Sequence, residues 1–324
     1  MDYRCSAIKA SFTLLLLGLA ACQPTAPQGS IEPPDILRWA KPDANVLTIL
    51  STEPNECLTS NLKASNVTTT TQLHQQNIAL GRMAFRSPFL LGGQAARRGL
   101  TCQSCHTQGQ RNENFFVIGL SDEPGTADVT SFHFSDELGD ESFNPALIPS
   151  LSDDVRGIDY DQNNDELEKF VTRLITKEFT GPTPLPEVKT ALLAYLRDLD
   201  DSACQSPQLQ GAALLRYKLT GISETFDILL NNSFKPETQN FLTNALRAEL
   251  GRLHLRYPNT QRIQKELVTI SQGLKLREAP LTRESLASAQ QRWDDLLPRM
   301  ETAYNRSLFH EGAITDWADA ALNR

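Results

Sequence analysis

Five consecutive residues, Cys102-Gln103-Ser104-Cys105-His106, constrain this chain more than any other feature. They spell C-x-x-C-H, the signature of covalent c-type haem attachment. Two thiols three positions apart reach both haem vinyl groups, and the adjacent imidazole then stands beneath the iron as proximal ligand. The rest of the fold has to close an apolar shell around that group. Zinc, the competing use of paired cysteines, would need further Cys or His partners at ligand spacing, which nothing nearby supplies.

The N-terminus agrees with the motif. Arg4 and Lys9 precede an apolar run, Phe12 to Leu19, and small residues close on Ala20-Ala21-Cys22. This reads as an export signal, its apolar run too short to span a bilayer as a stable helix. Leu19-Ala20-Ala21-Cys22 resembles the lipobox of bacterial lipoproteins, which implies cleavage before Cys22, acylation of its thiol and a lipid membrane as partner. An ordinary secretory signal with an incidental cysteine is the alternative. Gln23 resembles the outer-membrane sorting class. Residues 1–21 are therefore read as a lipoprotein signal peptide. Residues 22–45, with Pro24, Pro27, Pro33, Pro34 and Pro42, read as a flexible tether. Haem c is attached outside the cytoplasm, so the expected location is the cell envelope, lipid-anchored at the outer membrane and facing the periplasm.

Cysteine arithmetic tightens this reading. Of six cysteines, Cys5 falls in the signal, Cys22 takes lipid, and Cys102 and Cys105 take haem. Cys57 and Cys204 remain, a disulfide candidate that brackets the motif in an oxidising compartment, with two unpaired thiols as the alternative. A length of 324 residues at 40% hydrophobic allows a sizeable core and two domains, a haem domain over 46–204 and a helical domain of unreadable role over 205–324. The net charge of -8 argues against nucleic acid and suits a basic redox partner or simple solubility.

The elements read as helices throughout. The spacing predicts one over Gln72 to Phe85, followed by the turn Leu91-Gly92-Gly93. Leu167, Phe170, Val171 and Leu174 share a face behind Asp165 as N-cap, and Pro186 opens a helix carrying Val188, Leu192, Tyr195 and Leu199. Beyond Gln205, one stripe runs from Phe241 to Leu253 after Pro236, and a second from Ile263 to Leu274. A third joins Leu286, Ala289, Trp293, Leu296, Met300 and Tyr304, and Ile314, Trp317, Ala318 and Ala321 suggest a last short helix. These stripes bury against one another in a bundle, with Trp293 and Trp317 as core or, alternatively, as a docking surface.

Leu80-Gly81-Arg82-Met83-Ala84-Phe85-Arg86-Ser87-Pro88, the haem motif and Leu185 to Leu199 together resemble the bacterial cytochrome c peroxidase and MauG-like group. The likeness spans roughly Leu73 to Asp200. It implies a class I cytochrome c-like domain in which Gly81 and Phe85 pack against the Tyr195 face, and with the helical bundle read from the stripes beyond Gln205 the expected fold class is all-α. The chain departs from that group in carrying one haem motif rather than two. Arg156-Gly157-Ile158-Asp159-Tyr160, where the resemblance implies an axial-ligand loop, contains neither Met nor His.

A second axial ligand is sought first at His133, as a loop imidazole downstream of the motif. Met83, Tyr160, His74, His254, His310 and Met300 are weaker alternatives whose default roles are core or surface. Asp159, Asp161, Asn163 and Asp165 resemble a calcium loop, but Asn164 and Phe170 stand where its glycine and bidentate Glu belong, which favours an acidic turn. Glu113, Glu123 and Glu141 are acid–base nominees without a spacing argument, and Arg111 is a partner for a haem propionate or a surface residue. The leading expectation is one covalent haem c in a mono-haem cytochrome that transfers electrons to or from a redox partner protein. The alternatives are a peroxidase-like enzyme reducing hydrogen peroxide at an open iron, and a haem sensor or accessory subunit of a redox complex.

Overall fold

The fold is described from a computed structural model, over residues 56–58, 72–130, 139–151, 165–200, 203, 211–275 and 281–322. The signal at 1–21, Cys22, the tether at 22–45, His133, the acidic turn at 159–163 with Tyr160, and Cys204 lie outside the described residues. All described residues belong to one unit, Pro33–Arg324.

These residues are mainly helical, in line with an all-α chain. The helices before the haem motif are α1 Gln72–Phe85, α2 Pro88–Leu91 and α3 Gly93–Arg97, and the motif itself forms α4 Cys102–Cys105. After it come α5 Glu166–Arg173, α6 Pro186–Asp198, α7 Gly211–Asn231, α8 Pro236–Arg256, α9 Gln261–Gly273, α10 Arg283–Thr302 and α11 Glu311–Leu322. Among the described residues the one β pair is short and antiparallel, β1 Thr126–Ala127 against β2 Ala146–Leu147.

Local chemistry sets the boundaries. Prolines open α2, α6 and α8 at the position where a missing N–H costs nothing. The α1–α2–α3 turn is forced at Gly92, whose φ of 65° and approach to Gly181 leave no room for a side chain. Two details differ from the sequence reading. Asp165 stands at the N-cap of α5, but its carboxylate pairs with Lys169 at 2.7 Å instead of capping. Tyr304 leaves its stripe, because α10 stops at Thr302 and Tyr304 begins a 3-10 turn, Tyr304–Arg306.

Helix α1 organises the packing. It crosses α6 so closely that a Cβ on Gly81 would lie 2.1 Å from the Ala191 carbonyl oxygen and 2.6 Å from Tyr195 Cβ. The Phe85 and Tyr195 rings fill the crossing, centroids 5.3 Å apart and tilted by 54°. From α1, Ile78, Ala84 and Phe85 join a core with Leu167 and Val171 of α5 and Leu192 and Leu196 of α6. Ala79, Leu80 and Met83 join a second core, formed with Leu219, Ile222, Leu246 and Trp293 of α7, α8 and α10. Trp293 is fully buried there, its indole N–H donating to Ser223 Oγ at 2.9 Å.

A buried polar cluster ties α1 and α6 to α7. Glu56 accepts hydrogen bonds from Tyr195 OH at 2.6 Å and Arg82 Nε at 2.8 Å, and its carbonyl accepts from Tyr217 OH at 3.1 Å. Arg82 Nη1 reaches Glu224 at 2.8 Å. Burial disfavours the charge on Arg82, yet Glu56 and then Glu224 outweigh it and hold the guanidinium above its ordinary value. Burial, then the neighbouring Glu56 charge, pushes the Tyr195 phenol well above its own.

Candidate haem-attachment site

Helix α4 is four residues long, too short to persist on propensity alone. Hydrogen bonds from its surroundings hold it. Thr101 N–H donates to Ser104 Oγ at 3.1 Å and Ser104 N–H returns to Thr101 O at 3.0 Å. Asn112 secures the far end, with its backbone N–H on Cys105 O at 2.9 Å and its side-chain amide on Ser104 O at 2.8 Å. Gln103 Oε1 accepts from Gln108 N–H at 3.0 Å and so stabilises Gln108 in the left-handed region, φ 57°. Gln103 and Ser104, between the two cysteines, are both buried.

On the other face of this turn, Cys102, Cys105 and His106 line one cavity enclosing about 1390 Å³ with its mouth included. Its wall is overwhelmingly apolar, with Phe85 from α1, Phe170 and Val171 from α5, Leu192 and Leu196 from α6, and Ile148 beyond β2. Both thiols are free, and burial pushes each up to about 12, so they stand protonated at neutral pH.

His106 Nδ1 lies 2.9 Å from the carbonyl oxygen of Pro149. A carbonyl only accepts, so Nδ1 carries the hydrogen and Nε2 keeps its lone pair. Orientation of a ligating imidazole by such an N–H···O=C bond is the usual second-shell arrangement of a metal-binding histidine.

The donor set fits a haem c: one imidazole lone pair, two adjacent thiols and an apolar cavity. No group of three or more His, Cys, Asp or Glu side chains able to hold a metal ion occurs among the described residues.

The described wall offers no second imidazole and no thioether. Met83 is buried in the bundle core, Met300 is fully buried in α10, and neither lines the cavity. His74 is part-exposed, 4.0 Å from Asp198. His254 lies on α8, and the His310 ring meets Tyr304 edge-on at 5.7 Å. Arg111 pairs with Glu113 at 3.5 Å away from the cavity, and Glu113, Glu123 and Glu141 are exposed.

Two contributions went unread in the sequence. Pro149 stands at the head of the stretch that resembles the approach to an axial-ligand loop, but its carbonyl acts on His106 from 43 positions away, a contact that carries no local signature. Glu178 ends a π-helical turn, Leu174–Glu178, and is the one carboxylate on the described cavity wall. π-turns concentrate at functional sites, but Thr176-Lys177-Glu178 has nothing to set it apart from a solvated helix end.

Cys57 is disulfide-bonded, and its sulfur also accepts from Gln110 Nε2 at 3.1 Å. Leu58 pairs with Leu199, and Asp200 N–H donates to Cys57 O at 3.0 Å, which brings the chain leading to Cys204 alongside Cys57. No helix among the described residues is long and apolar enough to cross a membrane. No family model, no curated protein and no solved structure matches this chain.

Proposed function

We propose that the chain is a mono-haem c-type cytochrome whose first helical region, a class I cytochrome c-like domain, transfers electrons at the cell envelope. The observation that carries the reading is the convergence of Cys102, Cys105 and His106 on one apolar cavity, with His106 Nδ1 bound to Pro149 O. A covalent haem would supply an iron that cycles between ferrous and ferric states. Cys102 and Cys105 would anchor it through two thioether bonds, and His106 Nε2 would hold the iron. The Pro149 carbonyl keeps the imidazole from rotating and raises its basicity. Phe85, Val171, Leu192 and Leu196 line the cavity with apolar side chains that would exclude water and give a bound haem a low-dielectric surrounding.

The same reading puts the chain outside the cytoplasm, held to membrane lipid by an acylated Cys22, with a redox partner protein as the other party. The disulfide at Cys57 suits an oxidising compartment, and we take Cys204 as its partner because Cys102 and Cys105 are free and Leu199 and Asp200, a few residues before Cys204, lie beside Leu58 and Cys57.

The test is the visible spectrum of the purified full-length protein, oxidised and reduced, with a pyridine haemochrome assay. A thioether-linked haem is expected, and His106→Ala should change its spectrum and reduction potential. A protein without covalent haem, or a His106→Ala variant identical to wild type, overturns the reading.

One observation favours the enzyme alternative. The described wall carries Glu178, a carboxylate able to exchange protons with a small molecule in the cavity. High-spin haem that binds cyanide and turns over peroxide supports that alternative, and six-coordinate, cyanide-inert haem removes it.

A further inference from the structure

A second cavity opens on the opposite side of the α4 turn, where Gln103 and Ser104 face α7 and α8. Its described lining residues include four cations, Arg86, Lys218, Arg252 and Arg256, against one carboxylate, Glu249. The arginines are held in place. Arg86 donates to Gln108 Oε1 at 2.7 Å and lies 4.0 Å from Glu249. Arg252 reaches Glu249 and the carbonyl of Arg86. Arg256 donates to Leu308 O at 2.7 Å and stacks on the Phe309 ring at 5.0 Å. Glu249 is only 6% exposed, and it is shared between Arg86 and Arg252 in a sheltered space.

The second observation is Gln103. It is more than nine-tenths buried, and it lines this cavity. Its Oε1 is committed to Gln108 N–H, which fixes which end of the amide is which. The Nε2 end of this lining residue is buried and has no hydrogen-bond partner. A buried donor without an acceptor beside converging cations is satisfied by an anion that brings several oxygens.

We propose that this cavity binds a small multivalent oxyanion, of phosphate or carboxylate chemistry, between the α4 turn and the α7–α8 pair. Arg252 and Arg86 would take its charge, and Gln103 Nε2 would donate to one of its oxygens. The inference stands apart from the haem reading, because its ligand contacts only protein groups and binding is read without a haem signal.

The experiment is calorimetric titration of the full-length protein, as purified, with inorganic pyrophosphate and with citrate, at an ionic strength held constant with sodium chloride. Saturable one-to-one binding of at least one probe is expected, and the better of the two names the chemistry. Gln103→Glu keeps the acceptor for Gln108 but replaces the donor with a charge, and Arg252→Gln removes a cation. Each should weaken binding by about tenfold or more, with far-UV circular dichroism unchanged. Heat no greater than that of chloride at equal ionic strength, or binding indifferent to both substitutions, overturns the proposal.

Discussion

At the scale of single residues, the candidate site depends on groups that hold other groups still. Pro149 O orients His106, Asn112 ties down α4, and Gln103 stabilises the left-handed Gln108. The molecule also holds a titrating residue remote from the candidate haem cavity. Burial holds the His254 imidazole below its ordinary value of 6.5, so the folded state favours the neutral ring. The stability it contributes is present above 6.5 and is lost as pH falls through the lower folded value. The melting temperature should therefore drop as pH falls below 6.5, and His254→Gln should flatten that slope. An unchanged slope in the variant would assign the acid loss to other groups. Cys102, Cys105 and His106 were legible in sequence because covalent attachment demands one spacing. Pro149 and Glu178 were not, because a backbone carbonyl and a helix-end carboxylate acquire meaning only from what folds against them.

At the scale of elements, the α1–α6 crossing carries the sharpest constraint. Gly81→Ala places a methyl group 2.1 Å from the Ala191 carbonyl oxygen, so the helices must separate. Overpacking of this kind typically costs about 1–3 kcal/mol, read as a lower midpoint in urea denaturation with an unchanged slope. A midpoint equal to wild type would mean that the crossing yields freely. Most helices were readable from their stripes, since Ile263, Leu267 and Ile270 of α9 and Leu286, Ala289, Trp293, Leu296 and Met300 of α10 are all buried. Helix α7 was equally readable and is absent from the stripes named, although Leu215, Leu219, Ile222, Phe226 and Leu229 recur at four- and three-residue spacing and all are buried. Tyr304 illustrates the opposite error. Its spacing continues the α10 stripe, but the chain has already turned at Ala303, and apolar periodicity does not register where a helix stops.

At the scale of the whole molecule, α1 belongs to two cores at once. Ile78, Ala84 and Phe85 face the candidate haem cavity side, and Ala79, Leu80 and Met83 are covered by the C-terminal helices. Sequence periodicity could not reveal this, because α1 is apolar over most of its last two turns and nothing local says which partner takes which face. A chain ending at residue 210 would uncover Ala79, Leu80, Met83 and Ala191 and remove Glu224 from Arg82. It is expected to aggregate or to melt without cooperativity, and a soluble truncated protein with a sharp thermal transition would refute the shared-core account.

The burial of Gln103 and Ser104 bears on the order of events during biogenesis. These two residues, the spacer between the cysteines, are covered in the finished molecule by segments that follow them in the chain, Asn112 first and then α7 and α8. Any agent that must reach both residues between the cysteines meets them uncovered only before Asn112, α7 and α8 have closed over them, so a step that acts on this turn has to precede the docking of the last helices.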